Sequence, residues 1–528
     1  MCNYNLNGRR RSKRPNGNTY AKKIGSHLTS KREFMEKTIS EYKNKIEKFA
    51  NKIEDFATKP AFVFIVCAAA FFFHAFALDL VGLILFALTG GAFLIAFKDV
   101  RPSLTVIFFA IFVVSTQNST WPKGVSDFYF RTSTIITLVI CGAILIACMV
   151  FRCVKHKENY RGAKSILPLA ALSLSMILSG VIPAGSNRYG ESLLFGLIGV
   201  ASYLGLYLLL TGIVDGFDGL FDYAMTLFSG VALIISLEVV YVYVLNLLPP
   251  FEFLPENWRR CMRSGDFFDS IGRWKTYIVT GCGMSNQSGA MIAFLLPAVF
   301  YKISNTKNYF GYELLALFAA VSIMLTLSRT AIVVGGTLFI VLSIVTAIKL
   351  QKKTLFLSVL GAFVGAGAIL FVILLLNGKS ALLDYLLPSK GPGLNGRWTI
   401  WKDAVNYFTE RPVFGVGFAY PYHNDSTASN IFGALFHNFI FQALGSGGIF
   451  GIAAALYAVV DVCRRTLKEK YDGKFYILCF IGAFATICMF DILYFVPYYI
   501  SFLIFVIVLA EKGINQAKKT SGQEDAKK

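Results

Sequence analysis

Charged residues are scarce in this sequence, and their scarcity excludes a soluble globular protein. Only 16% of the 528 residues are charged, whereas 55% are hydrophobic and the mean hydropathy is +0.58. Soluble domains carry about 25% charged residues because their surfaces face water. The composition therefore predicts an integral membrane protein that has no separate soluble domain of any size.

Patterns that would indicate a metal site or a disulfide framework are also lacking. The ten cysteines are scattered, and their spacing resembles neither a set of metal ligands nor a disulfide ladder. Several lie inside apolar runs, where a thiol usually packs as a small hydrophobic residue, namely Cys67, Cys141, Cys148, Cys479 and Cys488. We therefore predict no metal ion and no other cofactor.

Basic residues outnumber acidic residues, 51 against 31, yet their distribution does not indicate a nucleic-acid-binding protein. Their positions follow membrane topology instead, because Lys and Arg accumulate in cytoplasmic loops. From Met1 to Ser30 there are seven basic residues and no acid. We predict a disordered cytoplasmic tail at residues 1–30, close to anionic lipid, and no cleaved signal peptide.

An amphipathic pattern follows the tail. Between Met35 and Phe56, apolar residues recur at alternating spacings of four and three residues, as on one face of a helix. This pattern predicts a juxtamembrane helix within residues 31–60. Two interpretations stay open, a helix that lies on the lipid surface and a docking helix or short coiled coil that binds a partner.

About fourteen apolar runs follow, some of them shorter than the ~20 residues that a spanning helix needs. They lie near 61–79, 80–97, 103–116, 133–151, 166–184, 192–213, 224–248, 287–301, 311–328, 330–348, 354–376, 435–461, 475–491 and 497–511. The predicted fold is an all-α, polytopic transmembrane bundle of about 14 spans, with a large extracytoplasmic loop that contains short interfacial helices. We divide it into N-terminal spans at 61–248, a second membrane region at 249–511 and a tail at 512–528.

Basic residues between alternate runs set the expected topology. They cluster at 98–101, 152–164, 302–307, 349–353, 464–474 and 518–519. The positive-inside rule places these clusters and both termini in the cytoplasm. Two long segments, 249–286 and 377–436, then lie outside.

The first outer segment contains five basic residues, including Arg273, on the side where the rule disfavours them. Either an anionic ligand or acidic residues of the same segment compensate their charge. In the second segment, Trp398, Trp401, Val405 and Phe408 share one helical face. This pattern predicts a helix lying in the outer interface, with Arg397 at the depth of a lipid-linked phosphate.

Two further residues are candidates for function. Arg329 is nearly alone between two apolar runs, either as a functional cation or as a side chain that snorkels from a helix end. His437 opens the run that follows the second outer segment, where it is either a proton acceptor or a structural residue. His423, within that segment, is the competing candidate.

Three motifs in this order resemble those of the bacterial O-antigen ligase and polymerase superfamily of membrane glycosyltransferases. They are Leu327-Ser328-Arg329-Thr330-Ala331, then Gly396-Arg397-Trp398 with Trp401, Pro412 and Gly415-Val416-Gly417, and finally His437-Asn438 with Gly445, Gly448 and Gly451. Gly281 to Asn286 with Pro297 is a weaker echo of an upstream family segment. The resemblance covers roughly residues 270–460, and the chain differs from the family in its long basic tail and higher span count.

The resemblance implies a donor glycan on an undecaprenyl-pyrophosphate carrier at the outer leaflet of the bacterial cytoplasmic (inner) membrane. The glycan would be transferred or polymerised onto the hydroxyl of a glycan, lipid or protein acceptor, with other polysaccharide-assembly proteins as further partners. Arg329 and Arg397, with Arg273 as a third cation, would stabilise the leaving pyrophosphate without metal. His437 would be the general base of an inverting reaction, and Asn438, Trp398 and Trp401 would contribute to substrate binding.

Other classes of membrane protein fit the sequence less well. Metal-dependent lipid-phosphate-sugar transferases typically carry acids in a substantial first outer loop, whereas this loop is nearly absent here and holds only Asp79. A lipid-linked glycan flippase or polysaccharide transporter remains the alternative. We would expect a flippase to have mid-membrane cations and two similar halves, and the sequence has no internal repeat. A non-catalytic polysaccharide-export scaffold is a third interpretation.

Overall fold

The structure, a computed structural model, describes residues 38, 41–42, 45, 47–76, 78–113, 132–160, 162–181, 189–214, 216–217, 219–247, 278–351, 353–376, 397–417, 436–471, 473–491 and 493–525. The chain divides into two units, Met1–Phe56 and Ala57–Lys528. In the first unit, the described residues 38, 41–42, 45 and 47–56 are helical, inside the segment predicted to be amphipathic, and Phe49 is 66% exposed. The predicted tail at 1–30 lies outside the described residues.

The described part of the second unit is helical apart from one short hairpin. Its elements are α1 (Pro60–Ala75), α2 (Asp79–Ala96), α3 (Arg101–Phe109), α4 (Thr132–Lys155), α5 (Ile166–Val181), α6 (Tyr189–Val200), α7 (Leu206–Ile213), α8 (Leu220–Leu247), β1 (Val279–Thr280), β2 (Gly283–Met284), α9 (Ser285–Asn305), α10 (Phe310–Leu325), α11 (Arg329–Lys349), α12 (Lys353–Leu376), α13 (Arg397–Glu410), α14 (Phe439–Lys468), α15 (Lys474–Cys488) and α16 (Pro497–Asp525). Short 3-10 turns lie at Ala110–Val113, Lys157–Tyr160 and Leu493–Phe495, and a π-helical turn at Ala201–Gly205 joins α6 to α7.

The all-α polytopic fold is confirmed. A helix occurs at each apolar run that the sequence marks. Among the described residues, seven helices are long and apolar enough to cross a membrane, and five more apolar helices have only 10–17 residues. One predicted span is wrong in detail, since the run at 435–461 is interrupted inside α14, where Gly448 has φ +62° and ψ −157°.

The core of the bundle is built from α8, α9 and α16. Helix α9 is buried along its middle, from Ala290 to Phe300. The ring of Phe228 in α8 lies 5.4 Å from that of Phe480 in α15 and 5.3 Å from that of Phe502 in α16. Most residues in the middle turns of these helices are apolar and buried, which is typical of helices surrounded by others.

One end of the bundle collects basic residues, and we refer to it as the basic end. Lys302, near the end of α9, donates to the carboxylate of Asp222 in the first turn of α8 at 2.8 Å. Tyr476 of α15 donates to Ser304 Oγ at 3.1 Å, and Lys349 Nζ of α11 lies 4.9 Å from the Tyr476 ring centroid. Helices α11 and α15 therefore run in opposite directions.

The other end holds His437, and we call it the histidine end. Tyr243 of α8 donates to the carbonyl of Leu325 at the end of α10 at 2.6 Å. Asn438, ahead of α14, donates to the carbonyl of Met489, just after α15, at 2.9 Å. Since Lys349 lies at the basic end, the first residue of α11, Arg329, also lies at the histidine end.

Candidate functional site

His437 lies in a sharp turn ahead of α14. Its φ is +48°, a left-handed conformation that costs about 1–2 kcal/mol in a residue with a Cβ. Asn438 caps the helix, because its Oδ1 accepts the N–H groups of Ile440 at 2.9 Å and Phe441 at 3.1 Å. With Asn438 Nδ2 also bound to Met489, the turn is held on both sides, which fixes the backbone of His437 at the start of the helix.

Asp491 faces His437 from the connection between α15 and α16. Its Oδ1 lies 3.9 Å from His437 Nδ1, and the two side chains are 7% and 38% exposed. Among the described residues, Nδ1 of His437 has no hydrogen-bond partner. The separation is longer than a hydrogen bond, but catalytic hydrogen bonds are often long before substrate binds. A carboxylate at this nitrogen would orient the ring.

Asp491 is not among the predicted site residues, although the sequence carries a signal for it. Asp491 is the only charged residue between Lys474 and Glu511. An ionisable residue in an apolar run is a functional candidate by default, as Arg329 is.

Helix α14 folds back on itself at Gly448. A Cβ on Gly451 would lie 2.8 Å from the carbonyl oxygen of Ala443, whereas residues eight apart in a straight helix are separated by about 12 Å. The segment 439–447 is therefore a half-helix that returns alongside the longer second part of α14. A Cβ on Gly448 itself would lie 2.6 Å from the Val413 carbonyl oxygen, so only glycine fits this turn.

The turn after α13 replaces the hydrogen bonds that the break removes. In an unbroken helix, the carbonyls of Gly445 and Ser446 would accept the N–H groups four residues later. Here they accept those of Val416 at 3.1 Å and Gly417 at 3.0 Å instead. The N–H groups released on the other side of the break, at 449 and 450, donate to the carbonyls at 412 and 413 at 2.8 and 3.2 Å. Backbone that is broken among spanning helices needs such protein partners.

Helix α13 lies along the half-helix and so brings Arg397 towards His437. The indole N–H of Trp401 donates to the carbonyl of Phe436 at 2.9 Å, and its ring stacks on that of Phe441 at 5.1 Å. Arg397 is half-buried and lies one helical turn before Trp401, which corresponds to about 5–6 Å along the helix. Its guanidinium therefore belongs to the surroundings of the His437 turn.

The residues of α13 that pack against the protein are not those of the predicted interfacial face. Ala404 and Tyr407 are buried, whereas Trp398 is 69% and Val405 41% exposed. Trp398 and Val405 are thus directed away from the protein core, where lipid or substrate can contact them, whereas Trp401 and Phe408 of the same predicted face are half-buried.

Arg329 is the first residue of α11, after a break that separates it from α10. Leu327 has φ +55°, and Ser328 caps α11 by accepting the N–H of Ala331 at 3.4 Å. Ser328 is 1% exposed, whereas Arg329 is half-buried. The break thus fixes the backbone of Arg329 while its side chain can reach the surface of the bundle.

The three predicted catalytic residues share one structural property. Arg329 and Arg397 each open a helix, and His437 immediately precedes the N-cap of a third. A helix N-terminus carries partial positive charge, and it attracts anions. The arrangement can therefore hold an anionic group beside a potential proton acceptor.

The other predicted site residues differ from one another in exposure and in hydrogen bonding. Asn438 and Trp401 use their side-chain polar groups in the internal hydrogen bonds described above, so the structure gives them a supporting place in the site. Trp398 is exposed and accessible to a substrate. Arg273 and His423 lie outside the described residues.

A polar stripe along the half-helix was also missed. Gln442 and Ser446 follow Asn438 at helical spacing and are both 1% exposed. Gln442 Nε2 donates to Ser446 Oγ at 2.7 Å, and its Oε1 accepts the N–H of Phe436 at 3.0 Å. Beside them is a cavity lined by Tyr203, Tyr494, Phe439, Gln442, Ser175 and Met176. Polar residues four apart in an apolar run were the available signal.

Comparison with known families supports the resemblance. A family model described as O-Antigen ligase matches residues 314–456, a range that contains Arg329, Arg397 and His437. A comparison with curated proteins gives no match. The match supports membership of the O-antigen ligase family and an O-antigen ligase-like function in polysaccharide biosynthesis, and the membrane-capable helices are those of a multi-pass membrane protein.

Proposed function

We propose that this protein transfers or polymerises a glycan from an undecaprenyl-pyrophosphate carrier onto an acceptor hydroxyl at the outer face of the bacterial cytoplasmic membrane. One observation carries the proposal: Arg329 and Arg397 each start a helix, and His437 precedes the N-cap of a third, all at the histidine end. Three helix N-termini with two guanidinium groups suit a pyrophosphate, and the imidazole suits a hydroxyl.

The sidedness rests on the opposite distribution of cations. Lys302, Lys349 and Arg465 lie at the basic end, which the positive-inside rule assigns to the cytoplasm. The histidine end then faces outwards, with both termini in the cytoplasm. A lipid-linked donor in the outer leaflet would present its pyrophosphate at this depth.

The chemistry follows from these groups. His437 Nε2 accepts the proton of the acceptor hydroxyl, while Asp491 at the other nitrogen orients the ring. The acceptor oxygen attacks the anomeric carbon, a new glycosidic bond forms, and the bond to the pyrophosphate oxygen breaks. The leaving pyrophosphate takes the electron pair, and the configuration at the anomeric carbon inverts.

The arginines stabilise the charge that develops on the leaving group. A guanidinium donates two parallel hydrogen bonds to phosphate oxygens, so Arg329 and Arg397 can act without a metal ion. Arg273 is the third candidate cation, and Trp398 offers an exposed ring on which a sugar can stack. Asn438 and Trp401 hold the turn and helix that carry these groups.

The proposal is tested by the release of undecaprenyl pyrophosphate from a lipid-linked oligosaccharide by the purified protein. We expect Arg329→Ala, Arg397→Ala and His437→Ala each to stop release while the variants fold normally. Retained turnover in the Arg397→Ala variant would contradict the assigned mechanism. Full activity of the wild type in chelator is expected, and its loss would contradict metal independence.

The same assay distinguishes the flippase alternative. A flippase would move the lipid-linked oligosaccharide across a vesicle membrane without cleaving it. Intact donor that becomes accessible on the opposite face, with no free undecaprenyl pyrophosphate, would therefore replace the transferase proposal. The length of the product glycan separates a polymerase, which lengthens the donor chain, from a ligase.

A further inference from the structure

A second histidine–carboxylate pair lies within the same half of the bundle. His74 of α1 and Glu238 of α8 are both fully buried, and Nδ1 of His74 lies 3.5 Å from Oε1 of Glu238. Ionisable side chains inside the membrane are costly and usually serve a specific purpose. The pair is closed to solvent, so it cannot contact a substrate directly.

The second oxygen of Glu238 holds the hairpin β1–β2. Oε2 of Glu238 accepts the N–H of Gly281 at 2.7 Å. Gly281 belongs to the turn of the hairpin, whose strands pair Val279 with Met284. A Cβ on Gly281 would lie 3.0 Å from the Cα of Phe112, so the turn is enclosed between neighbouring helical segments. Irregular backbone in such a place requires a partner from the protein.

The next residue of the same turn, Cys282, binds α16. Tyr499, in the first turn of α16, donates its hydroxyl to the carbonyl of Cys282 at 2.5 Å. The connection that leads into α16 carries Asp491, and Tyr203 donates to the carbonyl of Tyr494 within it at 2.7 Å. Glu238 is thus linked by two hydrogen bonds, and the two-residue turn between them, to the first turn of α16, eight residues after Asp491.

We infer that Glu238 is a positioning residue for the His437–Asp491 pair, acting through the hairpin turn and Tyr499. The role of that pair rests on the proposed function, but the mechanical link does not. Removing the carboxylate frees the turn, and the turn releases Tyr499. The start of α16 can then shift, and with it the preceding connection that carries Asp491. A small displacement of a catalytic group lowers turnover without abolishing substrate binding.

The experiment uses the full-length protein in lipid nanodiscs with the variants Glu238→Ala, Glu238→Gln, Tyr499→Phe and the double variant Glu238→Ala/Tyr499→Phe. Glu313→Ala is the matched control, since Glu313 is 1% exposed and lies in the first turn of α10, near the basic end. Hydrogen exchange is measured at residues 278–284 and 489–496. Turnover is measured as release of undecaprenyl pyrophosphate from a lipid-linked oligosaccharide.

We expect faster exchange in both segments for Glu238→Ala, and a roughly 10- to 100-fold fall in kcat with unchanged KM. Gln offers the same acceptor oxygen to Gly281, so Glu238→Gln should restore exchange and kcat. Tyr499→Phe should lower kcat in the same way, and the double variant should be no worse than the more affected single variant. The Glu313→Ala control should change neither segment.

Two results would overturn the inference. One is unchanged exchange at 489–496 in the Glu238→Ala and Tyr499→Phe variants, which would show that no link reaches the connection. The other is multiplication of the two kcat effects in the double variant, which would show separate routes. If wild-type protein releases no undecaprenyl pyrophosphate, the proposed function fails, while the exchange measurements still decide the link. Should Glu238→Ala not fold, Glu238→Gln and Tyr499→Phe still decide it.

Discussion

The two ends of the bundle use the same kinds of side chain in opposite ways. At the basic end, Arg465 donates to Glu511 Oε1 at 2.6 Å and to Ser165 Oγ at 2.7 Å. Glu511 also accepts the hydroxyl of Tyr207 at 2.6 Å. At the histidine end, the corresponding acid–base pair of His437 and Asp491 is 3.9 Å apart. The first arrangement is closed by short hydrogen bonds, whereas no hydrogen bond closes the second.

This difference indicates what each end contributes. The Arg465–Glu511 cluster joins α14 and α16 to the residue that precedes α5, so it fastens distant parts of the chain. The His437 turn is strained in its backbone and open in its side chains, which is typical of a functional site. Substitutions at the histidine end should therefore impair the reaction, and substitutions at the basic end should impair stability.

The largest expected effect follows from His437. Replacing it by Ala removes the proposed base, and general-base catalysis contributes typically 10²–10⁴-fold to a rate. We expect His437→Ala to lower turnover by about that factor, and Asp491→Asn to lower it less, because the ring remains but loses its orienting charge. The measurement is release of undecaprenyl pyrophosphate at saturating donor, with thermal unfolding as a check on folding.

His156 provides the matched histidine control. It lies just after α4, with Nδ1 3.7 Å from Glu158 and a side chain that is 27% exposed. His156→Ala should leave turnover unchanged. Equal losses of turnover in His437→Ala and His156→Ala would contradict a difference in function between the two ends of the bundle.

Much of the fold was predictable because its signals are local. An apolar run of sufficient length becomes a helix wherever it occurs, and each run that the sequence marks coincides with one. The starts of α11 and α13 were also marked locally, by Ser328 before Arg329 and by Gly396 before Arg397. The two arginines could be predicted as site residues because cations are rare in so apolar a sequence.

The parts that the sequence did not predict depend on distant contacts. The break at Gly448 is stable only because the turn after α13 supplies its missing hydrogen bonds. The role of Asp491 depends on its distance to His437, which lies ahead of α14 and is remote from Asp491 in the sequence. Neither relation is contained in a local pattern, so Asp491 was overlooked and α14 was predicted as one continuous span.

The basic end should lose stability when its ion pair is broken. Arg465→Met leaves Glu511 buried without its cation, and breaking one partner of a buried pair costs about 3–5 kcal/mol. We expect a lower unfolding temperature in nanodiscs, with kcat of the folded fraction unchanged. Arg464→Met is the control, because Arg464 is exposed, and its effect should lie within about 0.5 kcal/mol. A catalytic defect in folded Arg465→Met protein would contradict the division of roles.

The smallest expected effects, on stability and on donor KM, distinguish Trp398 from Trp401. The sequence pattern places both on one helical face. Trp401→Phe keeps an aromatic ring on Phe441 but removes the hydrogen bond to Phe436, which is worth about 1 kcal/mol of stability. Trp398 is 69% exposed, so Trp398→Ala should leave stability unchanged and raise KM for the lipid-linked oligosaccharide if its ring contacts the sugar. Unfolding temperatures and donor KM are compared in the same nanodiscs. If KM rises in Trp401→Phe and stays constant in Trp398→Ala, then the substrate contacts the buried face of α13, and the helix must separate from the half-helix to admit it.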